Sequence, residues 1–121
     1  MSDHRLFTTV DPLKNKVYLE QKTWENHIID EETGHPEFKG RVGAIKSTIN
    51  DPNLIFSSST KQGSLVYFKL GAHRNYPKLY VKVPVDYSQG KEGRIQTAML
   101  QGDFQGASLT QEGDIKYVKR N

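Results

Sequence analysis

The sequence predicts an α+β fold in which two N-terminal helices pack on an antiparallel sheet of about four strands. Three observations predict it. Phe38, Val42, Ile45 and Ile49 recur at steps of four, three and four, which marks one apolar helical stripe. Leu79, Val81, Val83 and Val85 alternate with Tyr80, Lys82, Pro84 and Asp86, the period of a half-buried strand. Turn formers separate the segments from Asp51 onward, so helix-forming sequence comes first and strand after strand follows.

Residues 5–12 read as a loosely ordered lead-in ending at Asp11-Pro12, and Val17, Tyr18 and Leu19 as a short first strand. Glu20 to Asp30 reads as a short helix, broken at Thr33-Gly34. Pro36 then sits in a first helical turn, with Glu37 near the positive end of the helix dipole. That second helix should end near Asn50, because Asp51-Pro52-Asn53 is a turn signal. Strands follow over 54–58, 64–70, 79–86 and 94–101, and a last one over 115–119. Pro84 marks an edge, a bulge or an early strand end. The expectation is one domain over residues 1–121, with its core in about 16–120.

Composition narrows the classes. The chain has 121 residues, 35% of them hydrophobic, which suits a thin core. There is no cysteine, so no disulfide or thiolate site exists. The absence of an apolar run long enough to span a bilayer, or of a signal peptide, predicts a cytoplasmic protein with no membrane partner. Phosphate-loop, dinucleotide and nucleophile-elbow signatures are missing. No metal-ligand spacing links His27, His35 and His73, so neither metal nor other cofactor is expected.

Charge is distributed unevenly. Of 17 basic and 14 acidic residues, no acid falls between Asp51 and Asp86, whereas Lys61, Lys69, Arg74, Lys78 and Lys82 do. Such a segment attracts a polyanion, though lysines also blunt exposed sheet edges. Glu20, Glu25, Asp30, Glu31, Glu32 and Glu37 crowd around two histidines, His27 and His35, on either side of one turn.

An imidazole titrates near neutrality, so two of them in one cleft can take and return a proton. His27 as base and His35 as acid, or the reverse, would serve cleavage of RNA by its own 2′-hydroxyl. Taken singly, each also reads as a packing or capping residue. Glu37 is a third candidate, as base, as an orienting group or as a favourable helix-start carboxylate. Lys69, Arg74 and Lys82 are the phosphate candidates, Arg74 for its fork geometry. Tyr76 is placed to stack on a base or to cap its loop. Thr97 shares a face with Ile95 and Met99, a hydroxyl where apolar packing is expected, and Tyr117 reads as core.

These residues resemble a known group. The runs Trp24-x-x-His27-Ile28, His35-Pro36-Glu37, Asp51-Pro52-Asn53-Leu54-Ile55, Leu65-Val66-Tyr67-Phe68-Lys69, Leu79-Tyr80-Val81-Lys82-Val83 and Arg94-Ile95-x-Thr97-Ala98 look like the phage-associated branch of the barnase–EndoU–colicin–RelE-like (BECR) ribonuclease superfamily. The likeness covers roughly residues 16 to 100. It implies the two-helix, four-strand arrangement and metal-independent endoribonuclease activity of toxin type, with His27, Lys69 and Thr97 as site residues and His35 and Glu37 next. RNA is then the substrate, and an acidic inhibitor or immunity protein the expected partner of the basic segment. An inactive RNA- or protein-binding module of the same fold is the alternative.

Overall fold

The computed structural model describes residues 4–109 and 113–120. It departs from the predicted arrangement. Among the described residues eight strands form one mixed sheet, and the helices are short.

The strands are β1 (Arg5–Val10), β2 (Lys16–Glu20), β3 (Leu54–Ser57), β4 (Leu65–Leu70), β5 (Tyr80–Asp86), β6 (Gly93–Ile95), β7 (Met99–Gln101) and β8 (Ile115–Val118). They lie in the order β1-β2-β6-β5-β4-β3-β8, with β7 also on β5. Every pairing is antiparallel except β2–β6, a parallel seam joined at Val17↔Gly93 and Tyr18↔Arg94.

The expected lead-in is therefore a strand. Asp11 makes it one by tying the β1–β2 turn: its carboxylate accepts from the Leu13 and Asn15 amides, both at 2.8 Å, and from the Asn15 side chain. Lys14 at the tip takes φ 73°, a region that costs a non-glycine residue about 1 kcal/mol.

The first predicted helix is also shorter than the sequence suggests, because Glu20 still belongs to β2. A single turn, α1 (Gln21–Thr23), runs into a π-helical turn, Trp24–Ile28, closed by the Ile29 amide on the Trp24 carbonyl. The second divides in two. Pro36–Phe38 is a 3-10 turn, Gly40 at φ 71° breaks the chain, and α2 (Val42–Asn50) follows. Its end at Asn50 agrees with the turn signal. Phe38, Ile45 and Ile49 are fully buried, while Val42 lies on the exposed side of the break.

Register sorts the sheet into two faces. Ile55, Tyr67, Val81, Val83, Val85 and Ile95 share the face that α2 covers, with Val17 and Leu19 continuing it. Truncating Ile45 or Ile49 to Ala there costs about 2–5 kcal/mol. Phe56, Val66 and Phe68 point the other way and are covered by Phe104 and Ala107. Phe104 meets Phe68 edge-on at 5.0 Å. Toward β2 and β6 this second face becomes ionic, carrying Tyr18, Glu20, Arg94 and Asp86.

Pro84 has a visible consequence. Its carbonyl accepts from the Gln96 amide at 3.0 Å, so the N–H that proline lacks would have faced the same neighbour. Gln96, Thr97 and Ala98 span what Val83 and Pro84 span on β5, one residue in excess. The single strand expected over 94–101 is thus β6, a bulge and β7. Bulges re-aim side chains, and this one presents Gln96 beside the ionic patch.

Candidate functional site

A hollow of about 330 Å³ opens at the end of the β2–β6 seam, lined by Glu20, Lys22, Thr23, Asn26, His27 and Arg94 together with Ile95 and Gln96. Strand alternation accounts for its floor. Val17 and Leu19 enter the core, so Glu20, after Leu19, turns to the opposite face. There it is 2% exposed. The π-helical turn that follows carries Asn26 and exposed His27 to the rim. Such turns recur at functional sites because they displace side chains from the ordinary helical register.

Arg94 supplies the cation. Its Nη1 lies 4.0 Å from Glu20 Oε1 and its Nη2 lies 3.7 Å from Asp86 Oδ2. These are charge contacts too long for hydrogen bonds, so the guanidinium is positioned while its N–H donors remain available for a ligand. Asp86 is firmly anchored. Hydrogen bonds from the Ser88 amide (2.9 Å) and hydroxyl (3.0 Å), and a 3.0 Å pair with Lys61, hold its carboxyl down to about 2. Gly93 permits the close approach of β6, since a Cβ there would stand 2.5 Å from Val85 and 2.7 Å from the Tyr87 ring.

A buried carboxylate, an exposed imidazole and a guanidinium line one hollow, groups whose chemistry allows proton transfer and the holding of an anion. Of the predicted site residues, only His27 lines this wall. Thr97 is half-buried in the bulge, one residue beyond Gln96. The others lie elsewhere, each for a local reason.

His35 faces Glu37, Nδ1 to Oε2 3.8 Å, and does not line the hollow. The turn before it is tight: a Cβ on Gly34 would fall 2.5–2.9 Å from three carbonyls, and the His35 amide is bound to the Ile28 carbonyl. The Glu37 carbonyl accepts from His73 Nε2 at 2.6 Å. His73 Nδ1 receives the Asn75 amide, which fixes the proton on Nε2. His73 is fully buried and pins this loop, with Phe38 and Tyr76 against its ring. Tyr76 packs edge-on against His73 within this loop, beside exposed Arg74, and away from the hollow.

Lys69 and Lys82 cannot meet. Phe68 pairs with Lys82, so Lys69 stands on the opposite face. Its ammonium donates to Ser47 Oγ (2.6 Å) and Asp51 Oδ2 (3.2 Å), fastening the end of α2. Asp51, held low by Lys119 and then Lys69, completes that clasp. Lys82 is 9% exposed and donates to the Gln105 carbonyl at 2.6 Å, and burial lowers its pKa.

Sequence reasoning missed Glu20 and Arg94. The signal was available: each abuts an apolar residue in a period-two strand, Leu19 or Ile95, and must face away from the core. A second hollow, of about 600 Å³, is lined by the hydroxyl-rich loop 57–65 with Ser108, Asp114 and Lys116, and has no imidazole. Among the described residues no group of three or more His, Asp or Glu converges as metal ligands would, and no helix is long and apolar enough to cross a membrane. No protein-family model, curated protein or solved structure matches the chain.

Proposed function

We propose that this protein is a metal-independent endoribonuclease of toxin type, acting in the cytoplasm on single-stranded RNA. The observation that carries the reading is the placement of Glu20, His27 and Arg94 on one hollow. In this mechanism Glu20 takes the proton of the 2′-hydroxyl, whose oxygen attacks the adjacent phosphorus. His27, at the rim, gives a proton to the departing 5′-oxygen. Arg94 holds the non-bridging oxygens as charge builds on them. The products are a 2′,3′-cyclic phosphate and a 5′-hydroxyl, and the side chains alone supply every proton transfer. A potent enzyme of this kind would need an acidic inhibitor while it is made.

One observation favours a second reading, a non-catalytic RNA- or protein-binding module: Glu20 and Arg94 already face each other at 4.0 Å and partly satisfy one another. The test is incubation with single-stranded RNA in excess chelator. Cyclic-phosphate products that vanish with His27→Ala and with Glu20→Gln support the enzyme. Binding without products supports the module. Cleavage that survives His27→Ala removes the proposed acid.

A further inference from the structure

The basic segment that looked suited to a polyanion is mostly spent inside the fold. Lys61 pairs with Asp86, Lys69 with Asp51, and Lys82 is buried. Unspent cations gather instead at the other end of the seam. Lys14, Lys16 and Lys91 surround a hollow of about 660 Å³ with Asn15 and Glu92. All three lysines are exposed, and among the described residues none of their side chains makes an ion pair or hydrogen bond. The carboxylate present, Glu92, is committed to Arg5 through two hydrogen bonds, 3.0 and 3.3 Å, although it also feels the charge of Lys16.

We infer that the exposed face of the β2–β6 pair is a track for the phosphate backbone of single-stranded RNA, leading from these lysines to Arg94. The inference rests on the ribonuclease reading for its direction, since it ends at the proposed scissile phosphate. Between the two hollows lie Tyr18 and, 3.8 Å over its ring, the Arg5 guanidinium, a flat cation on which a base can stack. The distance suits a few nucleotides: Lys16 to Glu20 is four strand steps, about 13 Å. The carboxylates along the seam each face a cation, Glu20 and Asp86 facing Arg94 and Glu92 facing Arg5, which reduces the negative charge along the track. Side chains of these types along one face bind strands by charge and stacking, without reading sequence.

The test uses Lys14→Asn/Lys16→Gln/Lys91→Gln, asparagine being chosen because it tolerates the Lys14 backbone. A 2′-O-methyl oligonucleotide, which the enzyme cannot cut, is titrated by fluorescence anisotropy. Removing three phosphate contacts should lower the slope of log affinity against log salt by about 2. Between about 50 and about 200 mM salt the wild type should therefore lose about twenty-fold more affinity than the variant. Cleavage of a dinucleotide should be unchanged, while kcat/KM on long RNA falls about ten-fold. Unchanged slope and affinity would overturn the track. Polyglutamate competing as well as RNA would overturn it in favour of an acidic protein. A lysine-dependent slope in a protein that cleaves nothing keeps the track and removes the catalysis. Should the triple variant melt early, Lys91→Gln alone should still lower the slope by about 0.7.

Discussion

The two hollows at either side of Asp86 make an instructive pair. The loop 57–65 basin is nearly twice the volume of the β2–β6 hollow, and hydroxyls dominate its wall. Some of those hydroxyls are occupied by their own loop, while the buried Ser64 hydroxyl has no hydrogen-bond partner among the described residues. Ser58 Oγ accepts the Thr60 and Lys61 amides, and Ser108 donates to Asp114. The smaller hollow has fewer lining residues, but it adds to a carboxylate an imidazole and a guanidinium, neither of which lines the basin. Capacity for chemistry follows from that mixture rather than from size, because proton transfer needs partners of unlike acidity around one atom.

Five measurements test this contrast. The largest effect belongs to His27→Ala, which should reduce RNA cleavage by about 10²–10⁴-fold, read as initial rates in chelator. A purely structural effect of similar size is expected at a third place. Asp11 accepts the Tyr67 hydroxyl at 2.5 Å, and Tyr67 in turn meets the Tyr87 hydroxyl at 2.6 Å. Burial raises both phenols, Tyr87 to about 12. Asp11→Ala should cost about 3 kcal/mol in urea titrations by orphaning these donors, without either hollow being altered directly. It is the control that separates unfolding from loss of chemistry.

Asp86 pairs with Lys61 at 3.0 Å on the basin side and faces Arg94 at 3.7 Å on the other. Its folded pKa, about 2, lies below the ordinary 3.8. The stability it gives is therefore complete above about pH 4 and is lost as pH falls toward about 2. That amounts to about 2 kcal/mol, and Asp86→Asn should flatten this part of the stability–pH curve. Next is Arg94→Lys, which keeps the charge but not the fork and should slow cleavage about ten-fold. Smallest is Ser58→Ala/Ser108→Ala in the basin, expected to change cleavage less than about two-fold; a larger loss would move the site.

Much of the sheet was legible because its central strands alternate cleanly. Leu54–Ser57, Leu65–Leu70 and Tyr80–Asp86 lie where period and punctuation put them. β1 was not legible, since an edge strand carries no consistently apolar face. Leu6 and Val10 are exposed, whereas Thr9 shares a face with Phe7. The helices were overread because an apolar stripe does not report a break such as Gly40. Of the residues lining the hollow, His27 alone was a candidate from its chemistry. Its partners could not be named, because pairing of β2 with β6 unites residues more than seventy positions apart, and nothing local encodes that parallel contact.

That contact has an architectural consequence. Only two residue pairs join β2 to β6, with Glu20 and His27 on one side and Arg94 and Gln96 on the other. The groups of the candidate site are thus divided between two halves of the polypeptide, like the blades of scissors sharing a short rivet. Were the rivet loosened, the two sets of side chains would part, and Val17, Leu19 and Ile95 beneath them would lose their packing.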